Sequence, residues 1–199
     1  NATPKYLNSG DGPTFSKKLV LYGWVQAREA VRRNLPLVVV EGYMDVVAVH
    51  RSGVAASVAP LGTALTSDQI GLLWKLHNEP ILCFDGDEAG QRAQFRALQR
   101  ILPILEPGRS ARLAMLPVGK DPDDVLKDSG PEGFQKIIGA ARSLVESMWI
   151  ATADQFDLQQ PEARAKFWQS TRGLVRSIGN NQVRLAYGDE LENRIAVMR

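Results

Sequence analysis

The chain is short of the side chains that most often hold zinc or build nucleophilic dyads: its 199 residues include one cysteine, Cys83, and two histidines, His50 and His77. A single cysteine excludes an intrachain disulfide and a cysteine-rich zinc site. Its setting in Ile81-Leu82-Cys83-Phe84 predicts a thiol buried in a strand. Each histidine falls on a predicted helix without a second ligand at metal spacing, so packing or surface roles are expected. No serine has a histidine and an acid in a recognisable nucleophile arrangement. No apolar run approaches the roughly 20 residues that cross a bilayer, and the N-terminus lacks the basic-then-apolar order of a signal peptide. A cytoplasmic protein with no membrane partner is the expectation. Internal repeats and low-complexity tracts are lacking too. The chain starts at Asn1 within a loop-like stretch, which suggests a fragment of something longer.

What is present fits a folded globular chain. Hydrophobic residues make up 44% and charged residues 23%, enough for one good core and a smaller satellite. The formal charge of +2 conceals an uneven distribution. Residues 1–40 carry six Lys/Arg against two acids, whereas residues 41–150 carry eleven against fourteen, with the acids bunched. A basic surface beside an acidic pocket suits a polyanion held next to metal ions; an ordinary solvated surface is the alternative.

Residues 1–16, rich in Gly, Pro, Asn and Ser, read as loop. Apolar positions Leu21, Trp24, Val25, Ala27 and Val31 predict a helix over 17–34, ended by Leu35-Pro36. Leu37-Val38-Val39-Val40 is the kind of run that forms a strand buried on both faces. Regular alternation follows: helix 44–51, strand 55–58, helix 67–76, strand 81–84, helix 87–102 and strand 111–116. That order predicts an α/β fold with a parallel sheet covered on both sides. Beyond Lys120 only helices are expected, over 123–127, 131–140, 144–156, 162–178 and 182–198. Trp149, Phe156, Phe167 and Trp168 recur there at helical spacing and read as packing anchors rather than base-stacking platforms.

Acids sit where strands end. Glu41-Gly42-Tyr43-Met44-Asp45 follows the first buried strand, Asp85-Gly86-Asp87-Glu88-Ala89-Gly90 the third, and Gly119-Lys120-Asp121-Pro122-Asp123-Asp124 the fourth. The carboxyl ends of parallel strands line one edge, where ligands bind. Six carboxylates, Glu41, Asp45, Asp85, Asp87, Asp121 and Asp123, are expected to converge there. Two unit charges about 4 Å apart repel by roughly 4 kcal/mol at an effective dielectric near 20, so the cluster calls for cations. Oxygen-only ligands point to Mg²⁺ or Mn²⁺. Asp85 and Asp87, two apart at a strand end, can face the same way, and Gly86 between them would let a phosphate approach the backbone. Asp87 and Asp121 have a second reading, as caps of the helices that begin beside them. Gly62-Thr63, after Pro60-Leu61, is either a turn or a phosphate-facing loop.

Four motifs then resemble a known family, in order and spacing: Glu41-Gly42-Tyr43-Met44-Asp45-Val46, Leu61-Gly62-Thr63-Ala64-Leu65-Thr66, Phe84-Asp85-Gly86-Asp87-Glu88-Ala89-Gly90 and Asp121-Pro122-Asp123 look like the Toprim core of bacterial replicative DNA primases (DnaG-type). Pro4-Lys5-Tyr6-Leu7-Asn8-Ser9, Phe15-Ser16-Lys17 and Leu21-Tyr22-Gly23 resemble the end of the basic subdomain that precedes it. The resemblance covers about residues 4–150; the remainder is similar only in being helical. It implies the end of the basic subdomain with a connecting helix over 1–34, a Rossmann-like Toprim domain over 35–130 and a helical subdomain over 131–199. Glu41 would be the Toprim glutamate, with Asp85 and Asp87 beside it as catalytic groups. Asp45, Asp85, Asp87, Asp121 and Asp123 would hold two or more divalent ions. Lys5, Tyr6, Asn8 and Lys17, with Gly62 and Thr63, would contact nucleotide or template.

By the same resemblance the activity is synthesis of short RNA primers from NTPs on single-stranded DNA by two-metal nucleotidyl transfer, with an RNA–DNA hybrid as product, in the bacterial replisome. Zinc belongs to a template-reading module, and helicase binding to a C-terminal module, neither within this chain. Two rivals stay open. One is a topoisomerase- or nuclease-like Toprim protein, although topoisomerases need a reactive tyrosine and Tyr6, Tyr22, Tyr43 and Tyr187 lack a convincing context. The other is a non-catalytic module that binds DNA or regulatory nucleotides.

Overall fold

Four strands too apolar to leave either face in water form the parallel centre of one sheet. The computed structural model describes residues 19–61 and 64–198. In chain order the strands are β1 (Leu21–Tyr22), β2 (Leu37–Val39), β3 (Ala56–Pro60), β4 (Ile81–Gly86), β5 (Arg112–Val118) and β6 (Arg142–Ser143). They lie side by side as β1-β3-β2-β4-β5-β6, with β3, β2, β4 and β5 parallel and the two outer strands antiparallel.

Side chains alternate across the sheet, and each face has its own helices. Leu37, Val39, Leu82, Phe84 and Leu113 point to one side, into a core shared with α1 (Trp24–Arg32), α3 (Ser67–Leu73) and α4 (Glu88–Ile101). Val38, Val40, Ile81, Cys83, Ala114 and Leu116 point to the other, against α2 (Tyr43–Ser52) and α5 (Pro122–Gly139). The Cys83 thiol is buried there, and burial pushes its pKa up. The C-terminal helices α6 (Leu144–Ala153), α7 (Pro161–Arg176) and α8 (Asn181–Val197) extend the first core, which takes in Leu144, Val175, Leu191 and Ile195. Phe167 is fully buried, with the Trp149 ring edge-on at 4.8 Å and Phe156 at 6.3 Å. The aromatic residues here are packing anchors, as their spacing predicts.

Three expectations change. The helix expected over 17–34 begins only at Trp24. Leu21 and Tyr22 instead pair with Pro60 and Ala59, and Gly23 turns the chain at φ +79. A Cβ on Gly23 would meet Ser57 O at 2.9 Å, so this tight turn requires glycine. The all-helical reading beyond Lys120 misses β6, whose two residues pair with Leu113 and Arg112 at the sheet edge. Gly86 does not open the backbone to phosphate. Its absent side chain makes room for β5, since a Cβ there would lie 2.0 Å from Pro117 O. The break expected between 127 and 131 is present as a kink inside α5, at Gly130 with φ 64, followed by Pro131.

Candidate metal and nucleotide site

The acids gather at the carboxyl ends of β2 and β4 and at the start of α5. Glu41 leaves β2, and one of its carboxylate oxygens accepts from the Asp85 backbone N–H at 3.3 Å. Asp85 is the penultimate residue of β4, where Gly90 lets α4 close over it: a Cβ on Gly90 would stand 2.1 Å from Asp85 O. The turn after β5 is tied to this strand end by Gly119 N–H donating to Gly86 O at 3.3 Å. Asp45 sits in the first turn of α2, nearly buried, and its carboxylate accepts from Gly42 N–H at 3.1 Å.

Both cap readings hold without removing the acids from the edge. Asp87 caps α4 by accepting from Gly90 N–H at 2.7 Å, and Asp121 caps α5 by accepting from Asp124 N–H at 2.8 Å. One carboxylate oxygen suffices for a cap, and the charge still acts on its neighbours. Asp123 turns toward Lys127 as an ion pair, and Lys120 pairs with Asp128.

Asp85 is the hub of the cluster. Loss of water contact raises its pKa first, and Glu41, Asp45, Asp121 and Asp87 then add repulsion, to about 7. Asp45 is pushed up to about 6, by burial and then by Asp121, with Asp123 adding to the repulsion. Glu41 is also raised: desolvation outweighs the Asp85 amide, while repulsion from Asp87 is opposed by attraction to Arg96. Asp85 Oδ1 is buried and has no hydrogen-bond partner. A buried acceptor facing like charges wants a cation.

The donor set fits a divalent one. Every oxygen here is hard, and neither histidine takes part: His50 Nε2 bonds Ser57 O at 3.0 Å, and His77 Nδ1 accepts from Glu79 N–H at 3.1 Å. Among the described residues no three such groups close into a preformed cage. An open edge of this sort suits an ion that keeps several waters and takes one or two carboxylates, as Mg²⁺ does.

Two arginines escaped the reading of motifs. Arg96 and Arg100 on α4 line a cavity of about 260 Å³ that Glu41, Val39, Leu65 and Phe84 help to wall. Their signal is the spacing Arg92, Arg96, Arg100, a four-residue row on one helix face. Of the nucleotide- and template-contacting candidates, Lys5, Tyr6, Asn8, Lys17, Gly62 and Thr63 all lie outside the described residues. Among the other tyrosines, Tyr22 and Tyr43 meet edge-on at 5.8 Å, and burial raises the Tyr187 phenol to about 12, leaving it a poor nucleophile. No described helix is long and apolar enough to cross a membrane.

Comparison with known proteins agrees with this geometry. Residues 36–112 match the Toprim domain family. The DNA primase of Pasteurella multocida (strain Pm70) is 38% identical over 195 residues, 98% of this chain and 34% of the relative. A crystal structure of a DNA primase domain from Pseudomonas aeruginosa superposes with a TM-score of 0.88 at 37% identity, covering 97% of this chain and 60% of that one. A structure of the DnaG primase catalytic domain bound to ssDNA superposes with a TM-score of 0.82 at 39% identity, covering 97% and 62%. The chain thus spans about a third of the length of the full-length relatives it matches. From the acidic strand ends to the last helix, the chain belongs to the DnaG-type DNA primase family, and it corresponds to the Toprim-containing part of that family's catalytic core.

Proposed function

We propose that this chain is the nucleotidyl-transfer centre of a primase that joins NTPs into short RNA primers on single-stranded DNA, using Mg²⁺ or Mn²⁺. The observation that carries the reading is Asp85, half-buried among four other acids with an unpartnered oxygen. Support also comes from the relative whose catalytic domain is bound to ssDNA.

In this reading Glu41, Asp85 and Asp87 face the reacting groups, and Asp45, Asp121 and Asp123 complete the metal-holding edge. Bound divalent ions supply charge neutralisation at the triphosphate and acidity at the primer 3′-hydroxyl. Asp87 and Asp121, each fixed by a cap bond, hold their carboxylates rigid at the mouth. The Asp85 amide orients Glu41. Arg96 offers a positive charge beside Glu41 for a phosphate oxygen. Lys5, Tyr6, Asn8, Lys17, Gly62 and Thr63 contact nucleotide or template, on the family resemblance alone. The same reading takes residues 35–130 as the Toprim unit and 131–199 as a helical subdomain, and places the protein at the bacterial replisome with a helicase partner.

Incubating the chain with single-stranded template, NTPs and Mg²⁺ tests it. Template-dependent RNA that disappears with Asp85→Asn and with Asp87→Asn, which keeps the cap of α4, while circular dichroism stays that of the wild type, is the expected outcome. Cleaved DNA, mere retention of DNA, or an active double variant contradicts it.

A further inference from the structure

The two ends of the connection from β3 to α3 are tied to one short stretch of chain. Pro60, where β3 ends, pairs with Leu21 of β1. Thr66, the N-cap of α3, is held by Gln69: the Thr66 N–H donates to Gln69 Oε1 at 3.0 Å, and Gln69 Nε2 donates to Val20 O at 2.8 Å. One amide side chain thus bridges Thr66 to the residue just before Leu21.

A helix cap alone does not account for this side chain. A capping box needs only an acceptor at the third helical position, and an exposed Glu serves. Gln69 is fully buried and directs its N–H to a carbonyl 49 residues upstream. A carboxylate could take the Thr66 N–H but has no proton for Val20 O, so both bonds at once call for an amide. A buried amide engaged at both ends fixes the spacing of the groups it joins.

What it joins walls the cavity beside Glu41. Pro60, Ala64 and Leu65 line that cavity from the β3 side, and Arg96 and Arg100 line it from α4. The Arg100 guanidinium donates to Leu65 O, and Ser67 Oγ donates to Arg100 O at 3.2 Å, so the same wall is locked to α4. Leu65 is therefore held through its own carbonyl and through the residue after it.

We propose that Gln69 is a positioning residue for nucleotidyl transfer: by holding Thr66 to Val20 it keeps the Leu65 wall at the spacing that lets the cavity beside Glu41 grip the incoming nucleotide. The inference rests on the nucleotidyl-transfer reading above and gives a residue outside the acidic motifs a part in it. Its effect falls on nucleotide binding rather than on the chemical step. The bridge acts on the wall, while Glu41 and Asp87 are held by the Asp85 amide and by the cap of α4.

The test compares the 199-residue chain with Gln69→Met, which keeps the length of the side chain and removes both bonds. Gln69→Met should raise the KM for ATP in template-directed synthesis, and the Kd for a fluorescent ATP analogue in Mg²⁺ without template, about tenfold in parallel. The kcat should stay within about twofold. A purely structural role would instead lower the maximal rate with the folded fraction at unchanged KM, and that result overturns the proposal. Should Gln69→Met not fold, hydrogen exchange of the wild type decides. With the ATP analogue at about ten times its Kd, the amides of Leu21, Leu65 and Thr66 should exchange about tenfold more slowly, while those in the last turn of α8 keep their rates. Bound nucleotide that leaves Leu21 and Thr66 unprotected overturns the bridge. A wild type that binds the analogue but makes no RNA contradicts the nucleotidyl-transfer reading and leaves the Kd comparison to judge Gln69; a wild type that does neither overturns both.

Discussion

Asp123 and Asp128 on α5 and Asp85 and Asp45 in the strand-end cluster are the same chemistry in opposite circumstances. Asp123 and Asp128 have lysine partners from their own helix or the turn before it, and both pairs face water. Asp85 and Asp45 have acids for neighbours, and their carboxyls rise to about 7 and about 6. The first group is compensated from within the chain. The second is compensated only by a proton or by something that binds, which is the ground for the proposed metal edge.

The contrast breaks most visibly in activity. Asp85→Ala should lower primer synthesis by a factor of about 10³ or more while circular dichroism stays near that of the wild type and the metal-free thermal midpoint does not fall. Gly86→Ala sits one residue away and should fail differently. Its Cβ would meet Pro117 O at 2.0 Å, so the loss should be one of folding, about 3 kcal/mol by chemical denaturation.

Acidity gives a third, smaller effect. Asp85 and Asp45 have folded pKa values above the 3.8 of an unfolded chain, so the native state keeps protons that the unfolded state has released. Metal-free stability should therefore fall as pH rises from about 4 to about 7, then level off. Discounted for water access, the fall is on the order of 2 kcal/mol. Asp85→Asn should flatten this slope in thermal melts and raise the metal-free midpoint at pH 8. Mg²⁺ at one fixed concentration should raise the midpoint of the wild type by more than that of Asp85→Asn. The smallest effect belongs to the compensated side. Lys127→Ala removes a surface partner of Asp123 and should raise divalent affinity by no more than about threefold, read by titration.

Much of this was legible beforehand. The unbroken run Leu37-Val38-Val39-Val40 is of the kind that forms a strand covered on both faces, and Leu37–Val39 do; the alternation after it indicates a parallel sheet but not the order of its strands. Site acids were visible because a strand end concentrates them at short, countable spacings. What escaped detection depends on partners far along the chain. Leu21 and Tyr22 have helical periodicity, yet they join the sheet because Pro60 and Ala59 offer an open edge and Gly23 can turn. Arg142 and Ser143 look like a linker until β5 lies beside them. Gly86 invited a ligand-facing reading, and only the neighbouring strand reveals why a side chain is excluded. Arg96 carried a spacing signal, but its nearness to Glu41 follows only once α4 packs against β4.

Calorimetric titration of the chain with Mn²⁺ near pH 6.5, in two buffers of different ionisation heat, tests the central claim most directly. With Asp85 titrating at about 7, ion binding must expel protons, and the apparent heat must differ between buffers. The wild type should release protons as it binds, while Asp85→Asn should bind at least about tenfold more weakly and release fewer. Binding to Asp85→Asn with undiminished affinity and the same proton release would contradict the assignment of Asp85 as the hub of the metal edge.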